Sequence, residues 1–440
     1  MPSLPGFTVD IDQNPYLPVG GRDVSAVVTV TADASGDMPS PGPGGPAGGS
    51  EGSAEIIIVD CSGSMDHPTS KIREARAATA AAVDVLTDGT WFAVVAGTTE
   101  AWAVYPTDGT MAVADDVTRA EAKRVLREMR ANGGTAIGQW LRGAYQIFQS
   151  CPATLRHAIL LTDGKNQHES PEELAAAIGL CEGVFRCDCR GVGTDWEVKE
   201  MRKISTALLG TVDIVPDPAG LAADFEEMTR GAMSKQLPDV LLRVWTPQQV
   251  TVRFVKQVAP AIDDLTGRRV TSGAQAGDYP TGAWAPGESR DYHVGVQVNA
   301  ASVGAEMLAA RVSLVASSAD GQQVLGQGLI KATWTEDEAL STRISPGVAH
   351  YTGQAELAAV IQEGLEARQQ GDEATATSKL GRAVALAHQA GNEDTARLLA
   401  KVVDVVDEAT GTVRLKKKVE AADEMALDTR STKTVRVKKG

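Results

Sequence analysis

Changes of periodicity along the chain predict a doubly wound α/β domain, joined to or inserted in an antiparallel β-sandwich, with a C-terminal helical segment. Between 54 and 235 short continuous apolar runs alternate with helical stretches, the pattern of a mostly parallel sheet covered on both faces. Between 236 and 336 the strands are set apart by Gly, Pro and Asp, which is the spacing of an antiparallel sandwich. From 337 to 410 the pattern is helical, with breaks at Gly371-Asp372-Glu373 and Gly391-Asn392-Glu393.

Taken in order, Phe7-Thr8-Val9-Asp10-Ile11 and Val24 to Val30 read as strands. Residues 1–34 have no core of their own and are expected to complete the sandwich. Residues 35–53 are rich in Gly, Pro and Ser and read as a flexible linker. Ile56-Ile57-Ile58-Val59 and Ala158-Ile159-Leu160-Leu161 are strands buried on both faces. Phe92–Ala96, Ala101–Tyr105, Phe185–Cys189 and Val212–Val215 are further strands, and helices are expected at 70–87, 118–131, 136–149, 171–181, 196–207 and 218–235. The sandwich strands lie in Val240–Trp245, Val250–Val255, Asp291–Val298, Ala309–Val315 and Val324–Ile330. Residues 411–440 carry nine Lys/Arg against four Asp/Glu and read as a basic, disordered tail.

Composition narrows the function. Aromatics make up only 4% of the 440 residues, so the cores rest on Ala, Val, Leu and Ile. A formal net charge of −15 argues against general affinity for nucleic acid or anionic membranes. No apolar stretch of about 18 residues is present to span a membrane. The N-terminal residues lack the basic start and apolar run of a secretory signal. Five cysteines, Cys61, Cys151, Cys181, Cys187 and Cys189, an odd number without such a signal, point to reduced thiols and a cytoplasmic setting.

The chemistry concentrates in Val59-Asp60-Cys61-Ser62-Gly63-Ser64-Met65, between a buried strand and a helix. Ligands of open α/β sheets bind at the carboxyl ends of the strands. In a tight turn the alternate residues Asp60, Ser62 and Ser64 offer a carboxylate and two hydroxyls to one hard cation. Mg²⁺ wants six oxygens at about 2.0–2.1 Å, so other loops must contribute. Asn132-Gly133-Gly134-Thr135 supplies a hydroxyl at a helix start, and Leu161-Thr162-Asp163-Gly164 a carboxylate at a strand end. Singly, each of these residues is better read as a helix or turn cap; five in this order favour a metal.

These three motifs resemble the von Willebrand factor A domain and its metal-ion-dependent adhesion site, over about residues 54–235. The resemblance implies that Ser62, Ser64 and Thr135 can contact the metal directly and that Asp60 and Asp163 often act through water. It implies Mg²⁺, with Mn²⁺ or Ca²⁺ as substitutes, and an open position that takes an Asp or Glu of a partner protein. The function expected is a non-enzymatic, metal-dependent interaction scaffold or adaptor. The three-part layout also resembles bacterial intracellular proteins found beside chaperone-like AAA+ ATPases, or beside kinases, phosphatases and phosphopeptide-binding domains. Two rival readings stand beside it. A Mg²⁺-dependent phosphatase or nuclease would need more direct carboxylates, often for two metals. A subunit of an RNA particle is disfavoured by the acidic body.

Weaker candidates remain. Cys61 and the C-x5-C-x-C set of Cys181, Cys187 and Cys189 read as buried small hydrophobes and not as redox or zinc centres. His67 and His168 flank the metal loops and read as ordinary loop residues. In the tail, Thr432 and Thr434 each precede a valine by three residues, which resembles a forkhead-associated ligand if phosphorylated.

Overall fold

The structure, a computed structural model, describes residues 6–34, 52–318 and 321–436. The expected linker at 35–53 therefore lies outside the described residues, except for Gly52 and Ser53. The chain forms two compact units.

Strands β1 (Phe7–Gln13), β2 (Tyr16–Pro18) and β3 (Asp23–Ala32) belong to the first unit, together with residues 237–419 and the segment from Arg430. The second unit takes the described residues of 42–236 and also 420–429. Its elements are β4 (Ser53–Asp60), α1 (Ser70–Asp84), β5 (Trp91–Gly97), β6 (Ala101–Tyr105), β7 (Ala112–Val113), α2 (Asp116–Leu126), α3 (Ile137–Gln149), β8 (Leu155–Thr162), α4 (Pro171–Cys181), β9 (Arg186–Val192), α5 (Val198–Ala207), β10 (Val212–Val215) and α6 (Leu221–Met233).

The strand order in this unit is β10-β9-β8-β4-β5-β6, with β7 also on β5. The first five are parallel and β6 and β7 antiparallel. β4 is central. Its Ile56, Ile57, Ile58 and Val59 are all buried to 1% exposure or less, because side chains alternate between two covered faces. Ile57 and Val59 enter the core made with Ile72, Ala75 and Ala78 of α1 and Leu221 and Phe225 of α6. The helix starts have local causes. Asp115 and Thr118 form a capping box on α2, and Ser170 and Glu173 form one on α4, where Pro171 sits in the first turn. The chain leaves β4 toward β5 on one side and later returns through β8 on the other, so the carboxyl ends of β4 and β8 flank a topological switch point.

The first unit continues with β11 (Leu241–Trp245), β12 (Thr251–Ala259), β13 (Asp263–Asp264), β14 (Val270–Gly273), β15 (Ala276–Pro280), β16 (Ser289–Gln297), β17 (Glu306–Ser318) and β18 (Gly321–Thr335). Two sheets, β1-β3-β16-β12-β13 and β14-β15-β11-β17-β18-β2, share one apolar core in which Val28, Val30 and Val294 meet Leu242, Val312 and Leu314. That is a sandwich. It departs from a wholly antiparallel one at β2, which runs parallel to β18. Strands β14 and β15 were not legible because the Gly-rich segment 270–280 lacks alternation.

Helices α7 (Glu338–Ser341), α8 (Pro346–Gln369), α9 (Glu373–Ala390) and α10 (Glu393–Val402) follow. Asp372 and Asn392 cap α9 and α10, and Gly391 closes α9 at φ 61°.

The reading of 411–440 as a disordered tail is corrected by the structure. β19 (Val403–Asp407) pairs with β20 (Thr412–Leu415), and α11 (Ala421–Arg430) follows. In the second unit, Arg202 donates to the Asp428 carboxylate at 2.8 Å. In the first, Ile262 N–H donates to the Thr432 carbonyl at 2.8 Å, Thr434 N–H to the Pro260 carbonyl at 3.0 Å, and Thr434 Oγ1 to the Val258 carbonyl at 2.6 Å. The phosphothreonine reading assumed a free segment. Thr434 is instead held by its hydroxyl, and Val437 lies outside the described residues. Composition alone missed this, because the groups that hold the segment, Arg202 and the Val258 carbonyl among them, lie far away along the chain.

Candidate functional site

The five expected residues meet at the carboxyl ends of β4 and β8. Asp60 ends β4 and Asp163 directly follows β8, so neighbouring parallel strands deliver two carboxylates to one place. The loop after β4 turns at once into a short 3₁₀ helix, Gly63–Asp66, which brings Ser62 Oγ to 2.9 Å from Ser64 Oγ. Ser64 Oγ in turn donates to Asp163 Oδ1 at 2.6 Å. A Cβ on Gly164 would stand 3.4 Å from Ser64 Oγ and 3.6 Å from Thr135 Oγ1; these two hydroxyls thus flank the same bare glycine. Ser62, Thr135 and both aspartates are buried and Ser64 is half-buried.

Asp60 has a different task from the hydroxyls. Its Oδ1 accepts the Ser62 N–H at 2.7 Å, and its Oδ2 accepts Thr162 Oγ1 at 2.7 Å and the Asp163 N–H at 3.4 Å. It thereby ties the first loop to the end of β8. Burial pushes its carboxyl up to about 6, against the hydrogen bonds from Ser62 and Thr162 that favour the charge.

The Thr135 loop is stitched to the first. Gly63 N–H donates to the Gly133 carbonyl at 2.9 Å and Asn132 N–H to the Cys61 carbonyl at 2.7 Å. Gly133 sits at φ 102°, where a side chain is strained. His168 is exposed, yet its Nδ1 accepts the Thr135 N–H at 3.1 Å. It is therefore more than an ordinary loop residue. A Cβ on Gly134 would lie 2.2 Å from the His168 ring. Gly134→Ala is expected to push the ring off Thr135, leaving the fold intact and lowering any affinity of the site for Mg²⁺ by roughly 10–100-fold, the usual cost of losing an outer-shell support. Calorimetric titration with Mg²⁺ checks it, and parent-like affinity would remove His168 from the site.

Sequence reasoning missed two residues. Thr162 orients Asp60, as described. Lys71, in the first turn of α1, places Nζ 2.6 Å from Asp163 Oδ2 and 4.0 Å from Asp195 Oδ2. Both Lys71 and Asp163 are buried. A signal did exist: a cation at a helix N-terminus opposes the helix dipole and so calls for a nearby anion. His67 is exposed, and its backbone N–H donates to the Ser64 carbonyl at 3.0 Å, closing the short 3₁₀ helix.

The cysteines behave as expected of buried hydrophobes. All five are buried and unpaired, and burial pushes the Cys61 and Cys181 thiols up to about 12. Among the described residues no group of three or more His, Cys, Asp or Glu side chains is arranged to hold a metal ion.

The donor set fits a hard cation. All its atoms are oxygens, and adjacent ligands of an octahedral Mg²⁺ at about 2.05 Å stand about 2.9 Å apart, the spacing of Ser62 Oγ and Ser64 Oγ.

Fold and site define a doubly wound α/β domain with an oxygen-rich cluster at its switch point, in a chain that also forms a β-sandwich. Residues 54–214 match the von Willebrand factor type A domain and 385–431 the von Willebrand factor type A C-terminal domain. A solved von Willebrand factor type A protein from Catenulispora acidiphila is 53% identical, with a TM-score of 0.92 over 99% of this chain and 98% of that one. The chain belongs to the von Willebrand factor type A family. The ArnB paralog VWA2 from Sulfolobus acidocaldarius shares the fold at 11% identity, with a TM-score of 0.55 over 98% of both chains. So does the human COPII-coat protein Sec24c, at 11% identity and a TM-score of 0.53, over 87% of this chain and 57% of that one. No curated protein matches the chain. Domains of this family mediate protein interactions. No helix among the described residues is long and apolar enough to cross a membrane.

Proposed function

We propose that the chain is a cytoplasmic, non-enzymatic adaptor that grips a partner protein through a divalent metal, Mg²⁺ by preference, at a metal-ion-dependent adhesion site. Ser62, Ser64, Thr135, Asp60 and Asp163 would hold the ion. Bound there, it would supply a positive centre for an Asp or Glu of the partner. The observation that carries this reading is the hydrogen-bonded run Ser62–Ser64–Asp163, at 2.9 and 2.6 Å, with Thr135 Oγ1 on the same glycine. Three neutral hydroxyls would leave most of the cation's charge unquenched. The hydrolase alternative finds less support, because among the described residues two carboxylates stand at the site, and each has both oxygens hydrogen-bonded by the protein. The partner classes this reading favours are AAA+ ATPases, kinases, phosphatases and phosphopeptide-binding proteins of a bacterial cell.

The test is capture from native lysate on the purified chain with Mg²⁺ or with chelator, beside calorimetry with Mg²⁺ alone. Specific retention only with Mg²⁺, and blocked by Ser64→Ala, is expected. Equal retention in chelator, or no heat of Mg²⁺ binding, would overturn the reading.

A further inference from the structure

We infer that Lys71 is a tethered counter-cation of the metal site, which sets its affinity for the divalent ion by competing for Asp163; the inference rests on the metal reading above and names a regulator of the same site. Lys71 is the one ammonium that touches the five-residue constellation among the described residues, at 2.6 Å from Asp163 Oδ2. It is not a solvated surface lysine. Its side chain is 10% exposed and that of Asp163 fully buried. The β9–α5 loop walls it in: a Cβ on Gly193 would stand 3.8 Å from Lys71 Cε, and the Gly193 carbonyl is held by Trp196 Nε1 at 3.1 Å. The same loop also brings the exposed Asp195 Oδ2 to 4.0 Å from the ammonium.

Two consequences follow from charge and geometry. Asp163 divides its oxygens, Oδ2 to Lys71 and Oδ1 to Ser64. The oxygen turned toward the hydroxyls is therefore fixed before any metal arrives, and Lys71 acts as a positioning residue through Asp163. With Asp60 and Asp163 ionised, Lys71 brings the site's formal charge from −2 to −1. A divalent ion then leaves the site at +1 instead of neutral. Metal alone is bound less tightly, and the bound metal retains its pull on an external carboxylate. Lys71 thus trades metal affinity for demand for an anionic partner.

Mn²⁺ binding to the full chain, followed by calorimetry and by the electron paramagnetic signal of the free ion, tests this. Lys71→Met should bind Mn²⁺ about tenfold or more tightly than the parent, since a buried unit charge a few ångströms from the ion acts through a low effective dielectric. Lys71→Gln, which keeps a donor for Asp163 without the charge, should tighten binding as well, and Lys71→Arg should resemble the parent. The metal-free Lys71→Met protein should melt at a lower temperature than the parent and gain more from Mn²⁺, because Asp163 is then buried without a counter-charge. A merely structural lysine would leave metal affinity unchanged or lower it on removal. Parent-like or weaker binding by both neutral variants, with the parent itself binding, overturns the inference and spares the metal site. Failure of the parent and all variants to bind overturns the metal reading, and this inference with it. If Lys71→Met folds only with Mn²⁺, refolding at concentrations that leave the parent unsaturated supports the inference, and no refolding overturns it.

Discussion

Asp60→Ala is expected to abolish binding of millimolar Mg²⁺ and Mn²⁺, and Ser62→Ala with Ser64→Ala to do the same by removing two of the three hydroxyls. Asp60 is the hinge of the site rather than one oxygen among several. Without it the Ser62 N–H and the Thr162 hydroxyl lose their buried acceptor, and an orphaned buried donor costs roughly 1–3 kcal/mol. Asp60→Asn keeps one acceptor oxygen and removes the charge, so it separates loop geometry from electrostatics and should still lose the metal. Calorimetry decides it, and undiminished binding in Asp60→Asn would place the metal elsewhere. The pH dependence has a definite sign. The Asp60 carboxyl is raised to about 6 from an ordinary value of 3.8, so in the metal-free protein its contribution to stability is fully present below the unfolded value and is lost as pH rises through about 6. A bound cation favours the ionised form. The rise in melting temperature on adding Mg²⁺ should therefore be larger at pH 7 than at pH 5. An equal rise at both would detach Asp60 from the ion.

The second large effect lies outside the metal constellation. On adjacent strands of the same sheet, His157 of β8 sits between Glu55 of β4 and Asp188 of β9. Its Nδ1 is 2.9 Å from both Glu55 oxygens and its Nε2 is 2.9 Å from Asp188 Oδ2. With both carboxylates ionised, two acceptors on two ring nitrogens call for the imidazolium, since a neutral ring has one N–H. Burial alone would lower the ring's pKa, but attraction to Glu55 and the hydrogen bonds to Asp188 and Glu55 push it up to about 9. Burial raises Glu55. Asp188 is held low, against its burial, by His157 and the neighbouring arginines.

His157→Leu would strand Glu55, which is fully buried, at a cost of about 3–5 kcal/mol. Chemical denaturation measures it, and a loss below about 1 kcal/mol, the worth of an ordinary exposed pair, would show the cluster to be solvent-screened. Replacing the trio with apolar residues of similar volume should restore most of the loss. The pH window follows from the raised value. The stabilisation is complete below the unfolded pKa of 6.5 and is lost as pH climbs through about 9, so the parent should weaken between those values while His157→Leu changes much less.

Local pattern settled a good deal. Ile56-Ile57-Ile58-Val59 could only be a strand covered on both faces, and a D-x-S-x-S turn at its carboxyl end put Asp60, Ser62 and Ser64 on one loop. Ser170 with Glu173 and Asp115 with Thr118 cap α4 and α2 by chemistry that acts within four residues, although the helix expected from 118 begins at Asp116. What pattern could not reach were the partners set by register and by distance along the chain. Lys71 meets Asp163 across 92 positions and Thr162 meets Asp60 across 102, and His157 finds Glu55 only because β4 and β8 lie side by side in that register. The end of the chain makes the same point in reverse: its composition reads as a solvated tail, yet β20 and α11 form there and backbone groups of Thr432 and Thr434 are hydrogen-bonded. Periodicity reports which face of an element is apolar. It carries no record of which polar side chains a parallel sheet brings together, because those pairings are fixed by strand order, and strand order is decided by the packing of the whole domain.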